Sequence, residues 1–100
     1  MAYPRSRKRC DLVVRSADPD LWVELKAYGV FREGDADRFL DAVAADVHKI
    51  ENRPMGTRGL VLVVVPKAIA ESFDRAIRQR GWNGFKTAEG RYAVVFHMNL

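Results

Sequence analysis

The rhythm of apolar and polar positions changes several times along this chain, and each change predicts an element. Leu12-Val13-Val14 and Leu21-Trp22-Val23-Glu24-Leu25-Lys26 flank the break Ser16-Ala17-Asp18-Pro19-Asp20, which is the pattern of a β-hairpin. From Ala36 to Glu51 the rhythm becomes helical: Phe39, Leu40, Val43, Ala44, Val47 and Ile50 form one stripe. Asp35 is a suitable N-cap, Asp37 complements the helix dipole, and Arg53-Pro54 ends the run. After the turn Met55-Gly56-Thr57-Arg58-Gly59 comes Leu60-Val61-Leu62-Val63-Val64-Val65, apolar without alternation, which predicts a central parallel strand covered on both faces. Pro66 opens a second helix that runs to Arg80 with Ile69, Ala70, Phe73, Ala76 and Ile77 inward and Gly81 as its stop. Arg91 to Met98 alternates as a closing strand, and Phe85-Lys86-Thr87-Ala88 can pair with it across Glu89-Gly90. The expected fold is α/β, a mixed sheet flanked by two helices in the order β-β-α-β-α-β.

Polar residues inside the hairpin break its apolar character at defined places. A period of two puts Glu24 and Lys26 on the face of Trp22, with Leu21, Val23, Leu25 and Ala27 on the other. Charges inside an apolar strand are costly unless they meet each other, a third charge or a metal. Asp11 is a candidate for that third charge. A four-residue loop over Ala17-Asp18-Pro19-Asp20 would set Ser16 against Leu21 and Asp11 opposite Lys26, so that two carboxylates and a lysine converge. An odd-length loop without a bulge would send Asp11 to the opposite face.

With Asp11 on one strand and Glu24-Leu25-Lys26 on the next, the chain resembles the PD-(D/E)XK nuclease superfamily, the restriction-endonuclease-like fold, whose motif is an acidic residue followed by E-x-K or D-x-K. The resemblance implies that Asp11 and Glu24 hold Mg²⁺ or Mn²⁺ with help from the Leu25 carbonyl, and that Lys26 orients or activates the attacking water. It also implies an Mg²⁺-dependent endonuclease acting on nucleic acid, DNA in the first instance. In this family the helix after the E-x-K strand often directs a polar residue at the site. Asp46 and Lys49, three apart beside the helical stripe, are the candidates here, with a surface ion pair as the alternative. Cys10 stands where the motif has proline. Only ten residues precede Asp11, so the helix with which family members usually begin is lacking.

Composition narrows the alternatives. The chain has 100 residues, 48% of them hydrophobic, which suits one small globular domain over residues 1–100. Seventeen Lys and Arg against thirteen Asp and Glu give a net charge of +4 and a pI near 9.6, a balance that favours polyanionic partners. Arg5, Arg7, Lys8 and Arg9 make residues 1–9 a basic arm, and Arg15 and Arg32 add charge near the hairpin; they contact phosphates or are solvated flanks. Tyr28, Phe31 and Arg32, between Gly29 and Gly34, would border the site, to contact a nucleotide or to pack the loop on the core.

A single cysteine, Cys10, excludes an internal disulfide framework, and His48 and His97 lack metal-ligand spacing, which argues against zinc. No P-loop, signal peptide or apolar run of membrane-spanning length is present, so a cytoplasmic location is expected. Two helices are few for a strand that needs cover on both faces. The expectation is therefore a homodimer, or a partner burying either the Val23-Leu25 side of the hairpin or the Tyr92-Val94-Phe96 side of the closing strand. The rival readings are a non-catalytic nucleic-acid-binding or assembly module with the same fold, and a small protein-interaction domain in which Glu24 and Lys26 are only a structural pair.

Overall fold

The computed structural model describes residues 1–4, 8–15, 18–28 and 36–100. The chain runs β1 (Leu12–Val14), β2 (Leu21–Ala27), α1 (Ala36–Glu51), β3 (Arg58–Pro66), a 3₁₀ turn (Lys67–Ile69), α2 (Ala70–Gln79), β4 (Lys86–Glu89) and β5 (Ala93–Asn99). The strands form one mixed sheet in the order β1-β2-β3-β5-β4. Only β2 and β3 are parallel; the crossover between them contains α1.

Both helices lie on the same face of this sheet. Their apolar stripes, Leu40, Val43 and Ile50 from α1 and Ala70, Phe73 and Ile77 from α2, share one core with Trp22, Val61, Val63, Val65, Val94 and Phe96. An aromatic chain runs through it from Tyr28 to Phe39 (4.7 Å between centroids), Phe73 (5.9 Å) and Phe96 (5.0 Å). Tyr28 is thus a packing residue. The helices are also tied by Arg80, whose guanidinium lies 2.9 Å from Asp41 Oδ1. Gly81 ends α2 with φ +78°, and the bonds from Gly81 N to Arg78 O and from Trp82 N to Ile77 O satisfy its last carbonyls in a Schellman arrangement.

Three expectations need correction. The first is hairpin register. β1 ends at Val14 and pairs Leu12 with Val23 and Val14 with Leu21, so the ladder is displaced by two residues from the one that sets Asp11 against Lys26. An even displacement preserves the face, and Asp11 comes beside Glu24 instead. The second concerns β3, whose burial alternates strictly: Val61, Val63 and Val65 are fully buried, whereas Leu60, Leu62 and Val64 are partly exposed. The third follows from the second, because Val94 and Phe96 lie under the helices, and the bare side of the sheet carries Leu12, Leu25, Leu60, Leu62, Val64 and Val95. Leu12 and Leu25 are more than half exposed, at 55% and 53%. Beyond these, β4 pairs with β5 as the Phe85–Ala88 stretch suggested, and α2 starts only after the 3₁₀ turn, since Pro66 remains extended at ψ 139°.

Gly59, paired with Trp22, lies directly beneath the end of α1. A Cβ on it would run into Ile50 Cγ2 and crowd the Arg53 side chain, so this close approach of helix and strand requires glycine.

Candidate functional site

The short reach of β1 creates the site. Beyond Val23 no strand among the described residues pairs with the outer edge of β2, and the Leu25 N–H donates instead to Asp11 Oδ2 at 2.9 Å. In a strand the N–H and C=O of one residue point to the same edge, so the Leu25 carbonyl faces this side too. Asp11 is exposed, whereas Glu24 is 1% exposed. Their carboxylates are neighbours, and each shifts the titration of the other.

Helix α1 closes the site from above. Asp46, 4% exposed, sits on the buried face of α1 between Val43 and Ile50. Lys49 reaches Glu24 Oε1 at 3.2 Å and Asp46 Oδ1 at 3.8 Å, while Lys26 reaches Asp46 Oδ2 at 3.4 Å. Glu24 and Lys26 are therefore partners of the helix and not of each other. The hydroxyl of Tyr3 donates to Glu24 Oε1 at 2.6 Å. Its ring, 3% exposed, packs 5.1 Å from Trp22. Among the described residues Glu24 Oε2 is buried with no hydrogen-bond donor, and Asp46 Oδ2 has the Lys26 ion pair, outside hydrogen-bond geometry.

Three carboxylates face two ammonium groups, and the titration of the group reflects that imbalance. Burial pushes Glu24 up, with the Asp11 charge adding to the rise against the opposing Tyr3 and Lys49. Burial likewise raises Asp46 against the pull of Lys26 and Lys49. Asp11 goes the other way: partial burial would raise it, but the Leu25 N–H, Glu24 and both lysines outweigh that and hold it low. Burial would lower Lys49, yet Glu24 and Asp46 keep it raised. Tyr3 is driven upward by burial and by its bonds to Cys10 and Glu24, so it remains a donor.

The donor set suits a hard cation. Two carboxylates and a carbonyl are the oxygen ligands that Mg²⁺ or Mn²⁺ accepts, with waters completing the shell. The unpartnered Oε2 of Glu24 is an oxygen that such an ion would satisfy. Among the described residues no group of three His, Cys, Asp or Glu is arranged to hold a metal. Asp46 is paired with Lys26.

Of the residues singled out from sequence, Asp11, Glu24, Leu25, Lys26, Asp46 and Lys49 come together here. In the basic arm, Lys8 and Arg9 are exposed, and Arg9 bridges Ala2 in a short antiparallel turn. Arg15 is exposed and lies 3.4 Å from the Met1 sulfur. Arg5, Arg7 and Arg32, the Gly29–Asp35 loop with Phe31, and Ser16 and Ala17 lie outside the described residues. Tyr3 escaped the sequence reading, its only signal being that it is the single aromatic residue in a basic arm. No protein-family model, curated protein or solved structure matches the chain.

Proposed function

We propose that this chain is a metal-dependent nuclease domain of the restriction-endonuclease-like type that hydrolyses phosphodiester bonds in nucleic acid. The observation that carries the reading is the buried carboxylate of Glu24, which lies beside Asp11 with one oxygen unpartnered and Lys26 two residues further along the strand. The group holds one more negative than positive charge when fully ionised, which a divalent cation would reverse.

Asp11, Glu24 and the Leu25 carbonyl are the residues that would hold the ion. When bound, it lowers the pKa of water and offsets charge on the phosphate. Lys26, with its side chain 31% exposed, stands at the rim where a phosphate or the attacking water would meet it, and Asp46 anchors it there. In the reaction the water oxygen would give up a proton to solvent and form a bond to phosphorus, the ester P–O bond would break, and the leaving oxygen would take up a proton from solvent. Lys49 keeps Glu24 in place. Exposed Lys8, Arg9 and Arg15 lie on the segments adjoining Asp11 and would meet the backbone of the polyanion.

One observation favours a second reading, a non-catalytic nucleic-acid-binding or assembly module. Both lysines already have carboxylate partners within the fold, so the ion network can serve packing alone. A cleavage assay on single-stranded, duplex and branched substrates with Mg²⁺ or Mn²⁺, run beside Glu24→Ala, separates the readings. Cleavage that needs metal and vanishes in a folded variant is the expected result. Equal cleavage by both proteins, or binding without cleavage by either, would overturn the nuclease.

A further inference from the structure

The metal reading leaves open how a carboxylate with two equivalent oxygens presents the correct one. The terminal torsion of glutamate is broad, so its rotamer alone does not choose. Here Oε1 takes both partners, the Tyr3 hydroxyl as a hydrogen bond at 2.6 Å and Lys49 Nζ as an ion pair at 3.2 Å, and among the described residues Oε2 has no hydrogen-bond partner. A phenol-to-carboxylate bond of that length is charge-assisted and directional, whereas an ammonium at the end of a flexible stem acts more nearly as a point charge.

We propose that Tyr3 is a positioning residue: by binding Oε1 of Glu24 it fixes the carboxylate plane and leaves Oε2 for the divalent cation. This rests on the metal reading above and extends it to the N-terminal segment. That segment is built to hold the phenol still. Tyr3 N–H donates to Lys8 O at 3.0 Å, Cys10 N–H donates to Met1 O at 2.9 Å, and Ala2 bridges Arg9. Residues 1–3 thus pair with residues 8–10 and set the Tyr3 ring against Trp22, a residue of the same strand face as Glu24. The hydroxyl reaches its acceptor across 21 residues of chain.

Mn²⁺ titration of the full chain followed by electron paramagnetic resonance tests this on wild type, Tyr3→Phe and Glu24→Gln. Phenylalanine keeps the ring on Trp22 and removes the hydroxyl with its bonds to Glu24 and Cys10. Wild type should bind Mn²⁺ in a Glu24-dependent way, and Tyr3→Phe should bind roughly tenfold more weakly, the usual loss when a residue orienting a ligand is removed. The line shape of its residual complex should also change, because the carboxylate rotates; loss of stability alone does not do this. Wild-type affinity and line shape in Tyr3→Phe, whatever its melting temperature, would overturn the positioning role while leaving the metal site intact. Wild type binding no better than Glu24→Gln would overturn the metal reading and this inference together.

Discussion

Lys26 is paired with Asp46 on the helix, 3.4 Å away, and not with Glu24, its neighbour two residues back on the same strand. Lys26 is therefore held from across the site by a carboxylate of the helix. This arrangement ranks three substitutions. Lys26→Met should lower single-turnover cleavage by about 10² to 10⁴, the range for a positioned proton-transfer group. Asp46→Asn should cost roughly 10 to 100-fold, as it loosens Lys26 without removing it. Mn²⁺ affinity should be nearly unchanged in Lys26→Met and fall in Glu24→Gln. Rates in Asp46→Asn equal to wild type would remove Asp46 from the site's workings.

The carboxylates also predict how stability varies with pH. Glu24 and Asp46 titrate above their ordinary values of 4.5 and 3.8 in the folded chain, chiefly because they are buried. Above those values the native state retains protons that the unfolded chain has released, so stability falls as pH rises until both carboxylates are ionised. Asp11 acts oppositely. Its folded pKa lies below 3.8, so its contribution is present above that pH and is lost on acidification. Lys49, raised above 10.5, contributes fully below that value and loses its contribution as pH rises through the folded pKa. Urea denaturation across pH should therefore show greatest stability in mild acid, a decline toward neutrality and a second loss above about 10.5. Glu24→Gln should flatten the first decline. Mg²⁺ at a hundred times its Kd should restore about 2.7 kcal/mol above that window in wild type and none in the variant. A decline of equal slope in Glu24→Gln would mean that another group governs it.

The uncovered face of the sheet leads to a prediction about association. Leu12 and Leu25 stand more than half exposed beside Leu60, Leu62, Val64 and Val95. An apolar surface of that kind is unusual on a monomer once it exceeds a few hundred Å². Light scattering over a dilution series should show a dimer that dissociates at low concentration. Leu25→Lys should yield a folded monomer, as the position points to solvent in the isolated chain. A monomer at every concentration would mean that the face stays wet and no second copy is needed.

How far these features were legible in the sequence differs from residue to residue. α1 spans Ala36–Glu51 as its stripe, its acidic first turn and Arg53-Pro54 require. The side of the sheet on which Asp11 lies follows from an even-length loop, because side-chain direction depends only on whether the register shift is odd or even, and the sequence left that parity open. The register itself was not legible: six residues, and not four, separate β1 from β2. In β3 a run of valines and leucines has no polar position to show which face is covered. Asp46 could have been recognised as core-facing from its spacing to Val43 and Ile50. Tyr3 could not, because its partner is distant in sequence and nothing local requires a phenol there.

Gly59 gives the site a gauge. The spacing between α1 and the sheet is set where Ile50 rests against this residue's bare backbone. Next to Ile50 on α1, Lys49 reaches Glu24 across the same gap, and one turn back Asp46 reaches Lys26. A hydrogen atom in place of a methyl beneath the last turn of the helix thus calibrates the ion-pair lengths beside it. Lifting the helix by the width of a methyl would stretch each of those pairs toward the range where water enters between them. The tolerance of the chemistry is therefore written into a position that bears no functional group at all.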